Sequence, residues 1–309
     1  MAQISARVSA DVTVAVHGRR GVGVSTVAGA LADCGVAVRD SGEIAVLVIA
    51  EVLKPEDRAS LARLRQDGTP VLIVLNKADL AGSGPGGPMA TARRRADQLR
   101  RLAGVPVVPM VALLAGADPA PHLVRALRVV AAEPADLTSP DAFLRAPHGL
   151  PVEVRVELLD ALDRFGIAHA ALALSRGADA DGLPTLLHRL SEVDQVLAAL
   201  SAVAAPVRYR RMRRAVAELR ALRSESAARF LAADETVLAM MAAAVDVVEA
   251  DGVAVDRGDD RKAHLHRARY WRHYSRGPVN ALHRSCGADI ARGSLRLLDG
   301  APDHRVIGR

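Results

Sequence analysis

Aromatic side chains are nearly missing from this sequence: one Trp, three Tyr and three Phe in 309 residues, 2% in all. Ala, Val and Leu must fill the core instead, which favours α/β and helical packing. Cysteine is equally scarce. Cys34 and Cys286 are too few for a disulfide framework and neither has metal-ligand spacing, so both read as free thiols in a reducing compartment. No stretch of about 18 apolar residues without charge occurs, so no membrane-spanning helix is expected. The nearest candidate, residues 236–248, is short and carries Asp246. Residues 1–7 contain no apolar h-region, so no signal peptide is expected. The location is read as cytoplasmic, with a peripheral position at a membrane as the alternative. Lysine is confined to Lys54, Lys77 and Lys262.

What the chain does have is 50% apolar residues, and length enough for two units. Its charge is unevenly spread. Residues 1–205 carry 21 basic and 22 acidic side chains, a balance of −1, whereas residues 206–309 carry 20 and 13, a balance of +7. The formal excess of +6 therefore lies in the C-terminal third and points to a separate unit with a separate partner.

The most informative stretch is residues 71–80, in which the apolar run Val71-Leu72-Ile73-Val74-Leu75 ends in Asn76-Lys77-Ala78-Asp79. This reads as a buried strand delivering a polar loop at its carboxyl end, where open α/β sheets bind ligands. A carboxylate there can accept two hydrogen bonds from N1–H and the exocyclic amine of guanine, an arrangement that adenine cannot supply. Upstream, residues 12–17 read as a strand that runs into Gly18-Arg19-Arg20-Gly21-Val22-Gly23-Val24-Ser25-Thr26 and then into a helical segment. Strand, glycine-rich loop and helix form the context of a phosphate-binding loop, whose backbone N–H groups and helix N-terminus attract anions.

Together the two stretches resemble the N-K-x-D guanine motif and the Walker A loop of P-loop GTPases. The resemblance covers residues 11–115 and implies an α/β fold with a mostly parallel sheet of P-loop type, and GTP or GDP with Mg2+ as ligands. Asp79 would read the base, Asn76 would brace the loop and Lys77 would stack its stem on the base. Gly18, Gly21 and Gly23 would shape the phosphate cradle, Ser25 would hold magnesium, and Thr26 would complete the binding set. Two departures stand out. Val24 occupies the position of the Walker lysine, whose ammonium stabilises charge as the γ group leaves. Only thirteen residues separate Thr26 from Asp40, which leaves no room for the magnesium-binding switch I threonine. Residues 36–42 read as a strand ending in Asp40-Ser41-Gly42, a shortened form of the D-x-x-G loop. Arg19 or Arg20 is the candidate to replace the lysine, as in the deviant Walker loop of partition and division-site ATPases. Arg19, Arg20 and Asp40 are thus the catalytic candidates. The bland alternative is a tight strand-to-helix turn that binds nothing.

Further strands are expected at residues 44–50, 105–110 and 167–174. Helices are expected at 55–66, 90–102, 122–132, 151–165 and 183–199, with His169 and His188 as structural histidines. After Pro206, a basic helix over 208–223 and an apolar one over 226–249 would form a hairpin, similar in a general way to the helical regions of dynamin-like GTPases. Residues 253–309 read as a basic, flexible tail in which Tyr270, Trp271 and Tyr274 interleave with Arg and His. That mixture suits nucleic acid or an anionic membrane surface, and equally a solvated helix that packs its aromatics inward. The expected division is 1–132, a degenerate GTPase-like domain; 133–205, an α/β extension or linker region packed on it; 206–252, the helical hairpin; and 253–309, the basic tail. The expected function is that of a catalytically impaired GTPase-like protein, a regulatory or scaffolding partner of an active GTPase, as a homo- or hetero-oligomer. The alternatives are an active hydrolase of deviant type, and binding of nucleic acid or membrane through residues 256–309.

Overall fold

The computed structural model describes residues 10–82 and 84–300. They divide into two compact units, Thr13–Leu200 and a second made of residues 10–12 with 201–300.

The first unit is built on a four-stranded, wholly parallel sheet in the order β1-β2-β3-β4: β1 is Val14–Gly18, β2 Ile44–Ile49, β3 Val71–Leu75 and β4 Val107–Pro109. The register sets Val14 beside Ile44, Ile49 beside Leu75 and Ile73 beside Val107. Every residue of β2 (IAVLVI) and β3 (VLIVL) is buried. That is the pattern of a parallel sheet covered on both faces, and it explains why these runs are continuous rather than alternating. Crossover helices α1 (Val24–Asp33), α2 (Pro55–Gln66) and α3 (Gly87–Ala103) connect the strands. Leu61 of α2 and Ala96, Leu99 and Ala103 of α3 close over Leu47, Ile49, Ile73 and Leu75. A second core joins Val111 and Leu114 to α4 (Pro121–Ala132), α5 (Pro140–Arg145), α6 (Val152–Ser175) and α7 (Leu183–Ser191), with Leu127, Phe143, Leu158 and Ile167 at its centre.

Three expectations for this unit need correction. Residues 167–174 are the C-terminal half of α6, not a strand. Ile167, Ala170 and Ala171 are buried while Leu172 is 46% exposed, a helical pattern that a continuous apolar run conceals. Residues 36–42 form no strand: Val38 makes one isolated parallel bridge to Val14. Residues 133–200 belong to the same compact unit as the sheet and pack on α4 as expected, but among the described residues they form helices and no strand, not an α/β extension.

The second unit is helical. It contains the greater part of α8 (Val193–Ala221), then α9 (Glu225–Ala232), α10 (Asp234–Ala250), α11 (Arg261–Tyr274) and α12 (Ala281–Gly300). The expected boundary at Pro206 is not one, because α8 runs through that proline. In the turn that Pro206 disturbs, the Ser201 carbonyl accepts a hydrogen bond from Arg208 Nη2 at 3.1 Å. The expected apolar helix over 226–249 is broken at Ala233, and the basic segment after residue 253 is no flexible tail through residue 300. Residues 301–309 lie outside the described residues. Asp260 caps α11 by accepting from Ala263 N–H, and α11 and α12 pack with α10 around Trp271, Cys286 and Ile290.

Trp271 is 1% exposed. Its emission, the only tryptophan signal of the chain, is therefore expected to be blue-shifted and barely quenched by iodide, and a solvent-like spectrum would contradict this packing. Tyr274 donates to or accepts from His283 Nδ1 at 2.6 Å. The segment therefore spends two of its three large aromatics on its own core, which weakens the base-stacking reading. Among the described residues no single helix is long and apolar enough to cross a membrane.

Candidate functional site

Both sequence motifs lie at the carboxyl ends of parallel strands. The glycine-rich loop leaves β1 at Gly18 and enters α1 at Val24, and Asn76 follows β3 directly. Gly21 and Gly23 have φ of 86° and 88°, a left-handed backbone in which a side chain is strained. The loop therefore turns its backbone tightly enough to present successive N–H groups beside the N-terminus of a ten-residue helix. Among the described residues the first N–H of this region to find a backbone acceptor is that of Val27, which donates to Gly23 O at 3.0 Å. The preceding amides of the loop and first turn remain available to an anion.

Asn76 joins this loop to the N-K-A-D loop. It is 4% exposed, its Nδ2 donates to Val22 O at 2.9 Å, and its Oδ1 accepts from Ala112 N–H at 3.1 Å. Its own N–H donates to Ile49 O at 2.9 Å. The carboxamide of Asn76 thus ties the glycine-rich loop to the segment after β4, and its backbone N–H ties the same residue to the end of β2. A Cβ on Gly23 would lie 2.4 Å from Asn76 Nδ2, so the glycine also makes room for the brace. Lys77 is exposed and adopts a left-handed conformation (φ 57°), and this bend sets up the short 3-10 turn Ala78–Leu80. Asp79 is half-buried, and burial pushes its carboxyl above the ordinary range. A hydrogen bond from its own backbone opposes the shift, the Asp163 carboxylate adds to it, and Arg164 and Lys77 oppose it.

Asp163 and Arg164 carry no motif and were not anticipated. They sit where α6 is interrupted: Asp163 has φ 49° and ψ 177°, outside helical geometry. Arg164 Nη1 donates to Leu137 O at 3.2 Å, while its buried Nε has no hydrogen-bond partner. Asp57 was also missed. It is 1% exposed, caps α2 by accepting from Lys54 N–H at 3.0 Å, and pairs through its other oxygen with Arg19 Nε at 2.9 Å. No local spacing signals that ion pair, whose partners are 38 residues apart.

The catalytic candidates fare unequally. Arg19 is held by Asp57. Arg20 is exposed at the tip of the loop. Asp40 lies at the wrong end of the strand: Arg39 N–H donates to Val14 O, Glu43 N–H donates to Thr13 O, and a Cβ on Gly42 would meet Ala15 N at 2.5 Å. Gly18 is four residues further along β1, about 13 Å away at ~3.3 Å per residue. Asp40-Ser41-Gly42 is therefore no γ-phosphate sensor in this fold. Val24 packs toward Gly18, its Cγ2 lying 2.8 Å from the position a Gly18 Cβ would take. The position for which a lysine was expected from the resemblance is thus taken by an apolar group packed against the loop. Ser25 and Thr26 are exposed in the first turn of α1. For magnesium, the first turn of α1 offers the exposed Ser25 and Thr26 hydroxyls; Asp57 is paired and Asp40 is remote, and the exposed Glu51, two residues past the end of β2, lies at the same end of the sheet.

His169 and His188 are hydrogen-bonded to the carbonyls of Phe165 and Ala115. No protein-family model, no curated protein and no solved structure matches this chain.

Proposed function

We propose that the Thr13–Leu200 unit binds a guanine nucleotide with little or no turnover, as a degenerate P-loop GTPase-like module that acts as a regulatory or scaffolding partner of an active GTPase. The observation that carries the reading is the Asn76 bridge. It couples the glycine-rich loop to the loop bearing Asp79, which supports reading the two as the phosphate and base sides of one site. The strand order supports it further, because the two loops emerge at the same end of a parallel sheet, where such folds bind ligands. Val24 in place of lysine, Arg19 engaged by Asp57 and Asp40 at the far end of β1 all argue for binding without hydrolysis. The hydrolase alternative rests on Arg20 alone.

Titration of the full chain with labelled GDP, GTP and ATP tests the proposal. Guanine nucleotides should bind and ATP should not. With Ser25 as the protein group expected to hold magnesium, chelating the ion should change affinity for GDP by less than about tenfold, because it would be held mainly by phosphate and water. Equal binding of ATP, or no nucleotide binding at all, would overturn the reading. Phosphate release lost in Arg20→Ala would favour the hydrolase.

A further inference from the structure

The second unit contains a concentration of positive charge that its own residues do not neutralise. Helices α8 and α12 enclose a cavity of about 300 Å³. Arg213 and Arg220 line it from α8, spaced i, i+7, and Arg284 and Arg292 line it from α12, spaced i, i+8. Both spacings return to the same helical face, so the two helices present facing pairs of guanidinium groups. Val216 of α8 and Met240 of α10 add apolar side chains to the lining.

The one carboxylate in the lining, Asp289, is already used: Tyr209, buried in the core, donates its hydroxyl hydrogen to Asp289 Oδ2 at 2.7 Å. Arg213 bonds the Ser285 hydroxyl and lies over the Tyr209 ring, 5.9 Å from its centroid. Arg284 reaches only a backbone carbonyl, Val279 O, at 3.5 Å. Among the described residues Arg220 and Arg292 have no carboxylate within 4 Å, and both are exposed. An ordinary charged surface alternates signs and pairs its arginines at i, i+4, as Arg229 does with Glu225 elsewhere in this unit. Four guanidiniums converging on a concave site against one occupied carboxylate repel one another unless an anion joins them.

We infer that this cavity is a binding site for a phosphomonoester, carried either by a small molecule or by a lipid headgroup. Guanidinium forks match phosphate oxygens in pairs, and a doubly charged phosphomonoester suits three uncompensated charges better than the singly charged phosphodiester of a nucleic acid. Single-stranded nucleic acid would also need exposed aromatic platforms. Here Trp271 is buried, Tyr274 is bonded to His283, and Tyr270 does not line the cavity. The inference is independent of the nucleotide site in the other unit.

The test uses the full chain and the double variant Arg220→Gln/Arg292→Gln. One arm measures binding of glycerol 3-phosphate by calorimetry. A second measures co-sedimentation with phosphatidylcholine vesicles containing phosphatidic acid, against vesicles with the same fraction of phosphatidylserine. A third offers single-stranded RNA. Wild type should bind in the first or second arm, and the tighter of these identifies the source. The double variant should lose at least tenfold in affinity while keeping the wild-type Trp271 emission, since neither arginine is buried. Absence of binding in both phosphomonoester arms, undiminished binding by the double variant, or RNA binding with the same arginine dependence in place of phosphomonoester binding would each overturn the assignment.

Discussion

Replacing Asn76 by alanine is expected to destabilise the Thr13–Leu200 unit by about 2–6 kcal/mol. The side chain satisfies two buried backbone groups, Val22 O and Ala112 N–H. Alanine leaves both without a partner, and an unsatisfied buried group costs about 1–3 kcal/mol. For a unit of this size, at about 2–4 °C per kcal/mol, that corresponds to a fall in Tm of roughly 4–24 °C. Local consequences should exceed the global one. The loop and the N-K-A-D segment would be uncoupled, so any nucleotide affinity should vanish before the unit unfolds. Gly23→Ala should mimic the change from the other side, since its Cβ would stand where Asn76 Nδ2 now lies. Thermal unfolding together with nucleotide titration reads both effects. A loss below about 0.5 kcal/mol, the size of an ordinary surface substitution, would mean that the bridge carries no weight.

The second large effect is expected at Asp79, with opposite signs for stability and binding. Burial raises the folded-state pKa of this carboxyl above its unfolded value. A carboxyl with a raised folded pKa favours the native state only while protonated. That contribution is lost as pH rises through the raised value, so at neutral pH the ionised group is a net cost. Asp79→Asn removes the cost, and the variant should melt higher than wild type at pH 7. The difference should shrink as pH falls toward the ordinary carboxyl range. The same variant should bind GDP at least a hundredfold more weakly, because a carboxylate accepting two hydrogen bonds contributes about 1.5–3 kcal/mol for each. A group that lowers stability in the free protein yet is needed for a ligand is the usual signature of a site rather than of a scaffold. A variant that gains stability and keeps its affinity would place the base elsewhere.

The parts of this fold legible in the sequence were those set by local chemistry. Val71-Leu72-Ile73-Val74-Leu75 read as a strand buried on both faces, and Gly21 and Gly23 marked the loop because left-handed backbone is costly for other residues, whereas Gly18 is required by the close approach of Val48 O, 2.7 Å from where its Cβ would lie. The carboxamide of Asn76 joins the glycine-rich loop to the segment after β4, a pair of long-range contacts that its place at the end of an apolar run does not by itself specify. What escaped notice depends on distant or cryptic partners. The Arg19–Asp57 pair joins residues in different crossovers, so nothing near Arg19 announces that its charge is engaged. Asp40-Ser41-Gly42 has the composition of a sensing loop, but its position depends on where the chain leaves the edge of β1, which composition does not encode. In the basic segment, the buried stripe is His264, Arg267, Ala268 and Trp271, at i, i+3, i+4 and i+7. Two of its four members are polar, so it passes for a solvated face. Arg267 is nevertheless satisfied internally, by Ser294 Oγ at 3.0 Å and by the carbonyls of Asp256 and Gly258 at 2.7 and 2.9 Å.

The central claim is that Asp79 selects guanine at a site joined to the glycine loop. It is tested most directly by measuring the affinities of wild type and Asp79→Asn for GDP and for xanthosine diphosphate. Xanthine carries an oxygen where guanine carries the amine, so a carboxamide can donate to it while a carboxylate is repelled. The account predicts that wild type prefers GDP and that the variant reverses the preference. Two proteins that bind both nucleotides alike, or neither, would contradict it.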